Sequence, residues 1–321
     1  MILLGSKIMI AGQTELNENN GIPVIDYEGS GYRTDFWVGQ GREYEDAVER
    51  AALSQLLPAK GRRIAEIGAG FGRLADMYLG YEQIVLFDYS RTLLQEAVAR
   101  WGDDPRFVFV AGNVYELPLA DGVLDTLVMV RVMHHLADVP QALGQLRRVL
   151  HSQSMAVLEY ANKRNLKAMA RWLLGRQKWS PFDAEPVEFV ELNYDFHPDW
   201  MTERMGQAGL EIRRQFGVSH FRLPVLKERI SEKRLVGIEQ PFFGLSGRFP
   251  VAPSVFVQAS APGNGVLQLP STGAEDVPGL LRCPHCSTSQ MEWDGENEVV
   301  CGSCGRRYAR QGKIWDMKEA V

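Results

Sequence analysis

Short runs of consecutive apolar residues alternate with segments of helical periodicity between Glu43 and about Gln258. Apolar runs without polar alternation are typical of strands that are covered on both faces, and the intervening helices supply that cover. The alternation therefore predicts an α/β fold with a doubly wound, mostly parallel sheet. Predicted strands cover 63–67, 83–87, 107–111, 126–130, 155–160, 211–219 and 254–258, and predicted helices cover 43–57, 72–79, 90–101, 139–150, 164–178 and 198–208.

A glycine-rich turn joins the first of these strands to the segment that follows it, in Glu66-Ile67-Gly68-Ala69-Gly70-Phe71-Gly72. Glycines allow the backbone to turn tightly and to approach a ligand, and free N–H groups after the turn can bind it. A tight turn without a ligand is the alternative. Asp88 ends the next strand, and Gly112-Asn113-Val114 follows the third. Parallel sheets bind ligands where their strands end, so these residues predict a site for an adenosine-bearing molecule.

The spacing of the glycines and the acid before them bear on the identity of that molecule. A dinucleotide-binding fingerprint has its third glycine one residue later, where this chain has Arg73. Glu66 suits a cationic ligand better than a pyrophosphate. A nicotinamide-dependent enzyme remains an alternative, which calorimetry with NAD would test.

These residues resemble the class I S-adenosylmethionine-dependent methyltransferases. The first motif of that family matches Glu66 to Gly72, and the acid that closes its second strand matches Asp88. Asn113 stands where the family usually has Asp, and the segment 125–136 resembles the branch that contains quinone methylases. The resemblance extends over about 43–260 and implies a seven-stranded, Rossmann-like sheet that ends in an antiparallel hairpin. The cofactor-binding residues that it implies are Glu66, Gly68, Ala69, Gly70, Gly72, Asp88, Tyr89, Asn113, Val114 and Arg131.

Methyl transfer requires a nucleophile aligned with the methyl group in a site that holds little water. A base is needed only where the acceptor must lose a proton, and histidine is the natural candidate. For each histidine, a structural role in the core, a loop or a helix cap is the alternative. The candidates are His134, His135, His197 and His220.

All four cysteines lie in two closely spaced pairs, Cys283-Pro284-His285-Cys286 and Cys301-Gly302-Ser303-Cys304. Two such knuckles can hold one structural zinc ion tetrahedrally through Cys283, Cys286, Cys301 and Cys304. Disulfides are the alternative, which the lack of other cysteines and of a secretion signal disfavours. Residues 280–317 also resemble the small zinc-ribbon activator subunits of tRNA and protein methyltransferases. That resemblance implies a small β-rich ribbon that docks on the catalytic domain or recruits a macromolecular substrate.

The charge of the chain is unevenly distributed. The net charge of −5 gives no overall attraction to nucleic acid, so stable nucleic-acid binding is not expected. Residues 161–180 carry six basic and no acidic side chains, and residues 181–200 carry six acidic and no basic ones. The basic run over 163–179 has three interpretations: the solvated face of a lid helix, a peripheral contact with anionic lipid, or a site for an anionic acceptor or RNA.

The expected organisation is an N-terminal tail at 1–36, a methyltransferase domain at 37–260, a flexible linker at 261–279 and a zinc ribbon at 280–321. Within the domain, 161–200 and 220–253 are expected to form lid or substrate elements. No apolar stretch is long enough to span a membrane, so a cytoplasmic protein is expected. The predicted function is methyl transfer to a small or lipid-like acceptor. The alternatives are RNA or protein methylation aided by the ribbon, and a catalytically inactive cofactor-binding adaptor.

Overall fold

The secondary structure comes from a computed structural model, which describes residues 13–16, 21–263, 272–273 and 276–321. The strands are β1 (Gln13–Leu16), β2 (Pro23–Asp26), β3 (Gly61–Ile67), β4 (Tyr81–Asp88), β5 (Phe107–Ala111), β6 (Leu124–Met129), β7 (Leu150–Ala161), β8 (Val187–Val190), β9 (Asn193–Asp195), β10 (Glu211–Val218), β11 (Ser254–Ser260), β12 (Met291–Trp293), β13 (Glu298–Cys301), β14 (Arg307–Gln311) and β15 (Ile314–Asp316). The α-helices are α1 (Tyr32–Phe36), α2 (Glu43–Leu56), α3 (Arg91–Trp101), α4 (Val139–Arg148), α5 (Leu166–Leu173), α6 (Pro198–Gln207), α7 (Pro224–Arg229), α8 (Glu232–Glu239), α9 (Phe243–Arg248) and α10 (Val277–Leu280).

A single large sheet runs through the molecule in the order β10-β11-β7-β6-β3-β4-β5-β15-β14-β13-β12. Strands β3 to β7 are parallel to one another, and β11 is antiparallel to both β7 and β10. This confirms the predicted seven-stranded, mostly parallel sheet with a terminal antiparallel hairpin. The extension from β5 into the C-terminal strands was not predicted, and it makes the sheet eleven-stranded.

Helices cover both faces of this sheet. Neighbouring residues of β3 contribute to different hydrophobic clusters, Ile64 to the one that includes Val48 of α2 and Ala65 to the one that includes Leu143 of α4. Successive side chains of a strand point to opposite faces, so an apolar strand of this kind requires a layer on each side. The doubly wound arrangement is confirmed.

Two predicted helices differ from the structure. The segment 72–79 forms only a 3₁₀ turn at Ala75–Tyr78, because Gly72 has a φ of 69° and Gly80 ends the segment before an α-helix can extend. The predicted helix over 164–178 is confined to α5. Gly175 has a φ of 65°, a left-handed conformation that is typical just past the end of a helix.

The expected tail and linker also differ from the structure where residues are described. Residues 1–12 and 17–20 lie outside the described part, but β2 pairs with β1, and α1 follows. Residues 264–271 and 274–275 of the expected linker lie outside it too, whereas Val277 and Leu280 in α10 are buried. These two residues share the cluster of the sheet, and that burial fixes the end of the segment. Among the described helices, none is long and apolar enough to cross a membrane.

Candidate functional site

A pocket lies at the edge of the sheet where strands β3 to β6 end. Its empty space, counted out to the open mouth, is about 710 Å³. Of the predicted cofactor-binding residues, Gly68, Gly70, Asp88, Tyr89, Val114 and Arg131 line it. Glu66, Ala69, Gly72 and Asn113 are not among its lining residues.

The glycine turn is fixed against the neighbouring strand. The backbone N–H groups of Gly68 and Ala69 both donate to the carbonyl oxygen of Phe87, at 2.8 and 2.9 Å. Gly68 has a φ of 76°, and a Cβ atom there would collide with the side chain of Val132. Only glycine fits both the left-handed backbone and the close approach, so the sequence dictates the shape of this pocket wall.

Asp88 is held at the pocket wall by the backbone. Its Oδ2 accepts a hydrogen bond from Gly70 N at 2.7 Å, and its Oδ1 accepts one from Ser90 N at 2.9 Å. Burial raises the pKa of Asp88 to about 6, although these backbone hydrogen bonds act in the opposite direction. The group is therefore ionised near neutral pH. Each carboxylate oxygen keeps acceptor capacity for a further donor such as a hydroxyl group.

Glu66 is a buried acid at the start of the turn. Its Oε2 has no hydrogen-bond partner among the described residues. Burial raises its pKa to about 8, against the favourable charge of Arg73. A buried carboxyl oxygen without a hydrogen-bond partner is costly, so Oε2 of Glu66 suits a ligand that brings a positive charge or a donor to it.

The side chain of Asn113, for which an adenine contact is predicted, makes a hydrogen bond within its own loop. Its side-chain oxygen accepts a hydrogen bond from Tyr115 N at 2.9 Å and caps a short 3₁₀ turn, so its own loop uses this acceptor. The pocket wall near it is apolar instead, with Val114, Leu93 and Leu136 among the lining residues. Such a wall suits the face of an aromatic base.

His135 is the one predicted catalytic histidine among the lining residues of this pocket. Its Nδ1 lies 3.1 Å from the carbonyl oxygen of Leu192, so Nδ1 carries the proton and donates it. Its Nε2 then accepts from the Tyr27 hydroxyl at 3.3 Å. Burial lowers the pKa of His135 to about 4. The ring centroids of His134 and His135 are 4.0 Å apart. Burial lowers the pKa of His134, and the nearby charge of His135 lowers it further.

The other two predicted histidines lie in structural contacts outside the pocket lining. His197 is the N-cap of α6, and its Nδ1 accepts from Asp199 N at 3.2 Å. His220 lies between Glu239 Oε1 at 2.8 Å and Ser246 Oγ at 2.9 Å. The structure does not bring either residue to His135.

Sequence reasoning missed the part of the pocket that comes from the N-terminal segment. Val24, Ile25, Tyr27 and Tyr32 line the pocket but belong to the segment that was expected to be a tail. The apolar run that begins at Ile22 was the available signal for a strand there.

An ion-pair network encloses the same edge of the sheet. Glu49 binds Arg73 at 2.9 Å and also pairs with Arg131. Although burial raises the pKa of Glu49, these two cations hold it below its usual value. The Trp37 ring lies 3.9 Å from the Arg73 guanidinium and 5.1 Å from that of Arg131. Glu49 thereby fixes the position of Arg131 at the pocket.

The side chains of the four cysteines come together near β12 and β13, the last two strands in the order of the sheet. Their Sγ atoms all lie within 4.8 Å of one another, with Cys283 and Cys304 3.7 Å apart and Cys286 and Cys301 3.4 Å apart. These separations are too long for disulfide bonds. A tetrahedral zinc ion with Zn–S bonds of about 2.3 Å would place sulfur atoms about 3.8 Å apart, so the donor set fits zinc.

Comparison with known proteins finds methyltransferases that are similar to part of this chain. Residues 65–158 match the family model described as a methyltransferase domain. A probable S-adenosylmethionine-dependent methyltransferase of Mycolicibacterium smegmatis is 29% identical over 162 residues, which are 50% of this chain and 56% of the relative. A 2-phytyl-1,4-naphtoquinone methyltransferase of Trichormus variabilis is 30% identical over 108 residues, 32% of this chain and 47% of the relative. The chain thus spans about half the length of the curated relatives that it matches.

The solved structures agree on the fold. An S-adenosylmethionine-dependent methyltransferase from Mesorhizobium loti superposes with a TM-score of 0.50 at 18% identity, over 68% of this chain and 99% of that protein. At this identity the likeness concerns the fold, which is the Rossmann-like methyltransferase fold with a C-terminal β-rich region. The superposition shows the fold, and residues 65–158 are similar to the methyltransferase domain of the family model.

Proposed function

We propose that this chain transfers a methyl group from S-adenosylmethionine, which binds in the pocket at the ends of β3 to β6. The observation that carries the proposal is the Asp88 carboxylate, which two backbone amides hold at the pocket wall next to the glycine turn. A fixed, ionised carboxylate at the end of the second strand of such a sheet is suited to accept both hydroxyls of a ribose.

The rest of the pocket fits the same cofactor. Gly68 and Gly70 provide a wall without side chains, and Val114 offers an apolar surface to the adenine. Glu66, whose Oε2 is buried without a hydrogen-bond partner among the described residues, is suited to the cationic end of the ligand. Among the other predicted residues, Ala69 and Gly72 shape the turn, and Asn113 orders its loop. When bound, the cofactor supplies a methyl group that its positive sulfur activates.

His135 is the proposed proton acceptor, through Nε2, which would exchange its hydrogen bond from the Tyr27 hydroxyl for the proton of the acceptor. Because burial holds its pKa at about 4, it is neutral at physiological pH and a weak base. It therefore suits an acceptor whose nucleophilic atom is acidic or already ionised.

Arg222 supports an acceptor that carries a negative charge. Its Nε is buried without a hydrogen-bond partner among the described residues. Burial and repulsion by the nearby charge of Arg131 lower the pKa of Arg222, while Glu49, Glu159 and Glu45 act in the opposite direction. An anionic oxygen on the acceptor would relieve this repulsion. Relatives named as quinone methyltransferases agree with a small or lipid-like acceptor of this kind.

The second part of the proposal is a structural zinc ion held by Cys283, Cys286, Cys301 and Cys304. Four thiolates leave no open position for chemistry, so this ion would stabilise the ribbon only. Elemental analysis of the purified chain tests it. One zinc per chain, lost in Cys301→Ser and kept in Ser303→Ala, is expected, and a metal-free folded chain would contradict it.

Methyl transfer is tested by incubating cell extract with the purified chain and isotopically labelled S-adenosylmethionine, followed by mass spectrometry. We expect a labelled small molecule that disappears with Asp88→Asn and persists with the exposed control Asp103→Asn. Label in RNA or protein alone would favour a macromolecular substrate. If the chain binds the cofactor but labels nothing, the adaptor interpretation replaces the enzyme.

A further inference from the structure

Helix α5 presents its apolar side to solvent. Leu166, Leu173 and Leu174 are 59%, 73% and 66% exposed, and within the helix only Ala168 is buried. Leu166 and Leu173 are seven residues apart, about two helical turns, so they lie on one stripe. An amphipathic helix normally buries such a stripe against its own protein. Here nothing in the described part of the chain covers it.

A basic stripe runs beside the leucines. Lys167 and Arg171 are four residues apart and therefore stack on one side of α5. Arg164 precedes the helix, and Arg176 and Lys178 follow it. Lys163 is excluded from this stripe because its Nζ is used internally, donating to the carbonyl oxygen of Glu185 at 2.6 Å.

The helix is held in place before any partner arrives. The side chain of Asn165 caps it by accepting from Ala168 N at 2.9 Å, and Leu166 N donates to the Val251 carbonyl at 3.0 Å. Trp172 packs edge-on against the exposed ring of Phe182, at 5.5 Å between centroids. A preformed surface avoids the entropic cost of folding on binding.

The position of α5 connects it with the pocket. The helix follows the end of β7, so it leaves the same edge of the sheet at which the pocket opens. The hairpin β8–β9 comes after it, and the Leu192 carbonyl beside that hairpin accepts from His135 in the pocket. A binding partner of α5 therefore lies on the side of the molecule at which the pocket opens.

We propose that this α5 surface, formed by Leu166, Leu173 and Leu174 with Lys167 and Arg171, docks on a membrane that contains anionic lipid. The charge is complementary to lipid headgroups, and adjacent leucines reach the acyl region, as in helices that lie in the membrane interface. The acidic side chains of 183–199 follow α5 in sequence, and their charge is not complementary to anionic headgroups. That the membrane also delivers a lipid-like acceptor rests on the proposed function.

The test is co-sedimentation of the full chain with phosphatidylcholine vesicles, with and without phosphatidylglycerol. We expect binding to the anionic vesicles only, weakened by salt. Lys167→Gln and Arg171→Gln should each reduce binding about fivefold, the equivalent of about 1 kcal/mol per cation. The double variant Leu173→Gln, Leu174→Gln should reduce it at least about tenfold.

Matched controls come from the opposite edge of the sheet. Leu79→Gln and Lys60→Gln change an exposed leucine and an exposed lysine just before β4 and β3, and both should leave binding unchanged. Quenching of tryptophan fluorescence by brominated lipid provides a second readout, which is measured on the wild-type chain. The lipid should quench wild-type fluorescence more than that of Trp172→Phe.

Equal binding to both vesicle types, equal losses in the control variants, or quenching that Trp172→Phe does not change would overturn the docking surface. So would concentration-dependent self-association that the leucine variants abolish without any vesicle binding. S-adenosylhomocysteine calorimetry on the same preparations keeps the two proposals apart. Vesicle binding without nucleotide binding leaves the surface and removes the methyltransferase, and the reverse result removes only the surface.

Discussion

Asp88 in the pocket wall and the buried Glu66 before it in sequence differ in charge near neutral pH because they receive different hydrogen bonds. Burial raises the pKa of both, to about 6 for Asp88 and about 8 for Glu66. Asp88 receives hydrogen bonds from Gly70 N and Ser90 N, which favour its ionised form, whereas Glu66 Oε2 receives none from the described residues. Near neutral pH, Asp88 is thus an anion that can accept hydrogen bonds from hydroxyl groups. Glu66 is a neutral acid that would ionise when a cation binds beside it.

S-adenosylhomocysteine affinity should depend on pH through Asp88. Its charged form accepts the ribose hydroxyls, so the contribution of Asp88 to the affinity is complete above its pKa of about 6 and is lost as the pH drops below that value. Calorimetric titration should show the dissociation constant rising about tenfold per pH unit in this range. Asp88→Asn should bind weakly at every pH. A flat profile in the wild type would contradict the assignment.

Proton release should accompany binding through Glu66. With a pKa of about 8, this group is mostly protonated near pH 7, and a ligand ammonium beside it would lower that pKa. Binding enthalpies measured in buffers of different ionisation enthalpy should reveal the release of nearly one proton. Glu66→Gln should release none. Identical enthalpies in all buffers would place the cationic group elsewhere.

Local motifs located part of this site from sequence alone. Gly68 and Asp88 were identified because their roles depend on neighbours in sequence and on the strand ends that hold them. The adenine contact of Asn113 stays a prediction, and the capping bond that its side chain makes was not foreseen, although a short polar side chain can bond its own backbone two residues on. The Tyr27 contact to His135 joins residues 108 apart in sequence, and no local pattern encodes it.

At the scale of elements, caps and stop signals predicted most boundaries. The Ser90 hydroxyl accepts from Leu93 N at the start of α3, and Pro198 opens α6 as expected. The 3₁₀ turn at Ala75–Tyr78 was missed because helical composition alone does not reveal the left-handed glycines before it. Helices α7 to α9 were missed because their segment lacks a clear apolar period.

A pair of glycine substitutions tests how backbone conformation limits these elements. Gly68→Ala should destabilise the fold by about 2 kcal/mol or more, because alanine is strained at a positive φ and its Cβ meets Val132. Gly144→Ala, in an exposed turn of α4 with nothing near the new atom, should stabilise it by about 0.5–1 kcal/mol. Urea unfolding measures both changes. Equal effects at the two positions would contradict the assigned backbone.

For the whole molecule, the ribbon is part of the main sheet. β15 pairs in parallel with β5, and Trp315 shares a hydrophobic cluster with Leu119. Asp316 binds Arg91 at 2.6 Å, and Lys318 Nζ lies 3.6 Å from the ring centre of Tyr89 in the pocket wall. The cysteine spacing predicted the thiol cluster, but not this docking. A three-residue strand carries too little pattern to reveal its partner.

Loss of the proposed zinc ion should therefore weaken ligand binding in the pocket. Chelation or Cys301→Ser should lower the thermal midpoint and weaken S-adenosylhomocysteine binding, because β15 and Lys318 lose their support. Calorimetric scanning and titration measure the two effects, with Ser303→Ala as the control and zinc addition restoring the chelated sample. A chain that unfolds in two independent steps, with nucleotide affinity unchanged, would contradict the shared sheet.

The central claim is that the edge of the parallel sheet binds an S-adenosyl nucleoside. Its most direct test is calorimetric titration of the intact chain with S-adenosylhomocysteine near pH 7.5, with NAD as the comparison ligand. We expect saturable binding of one S-adenosylhomocysteine per chain and no heat of binding from NAD. Binding of NAD, or of neither ligand, would contradict it.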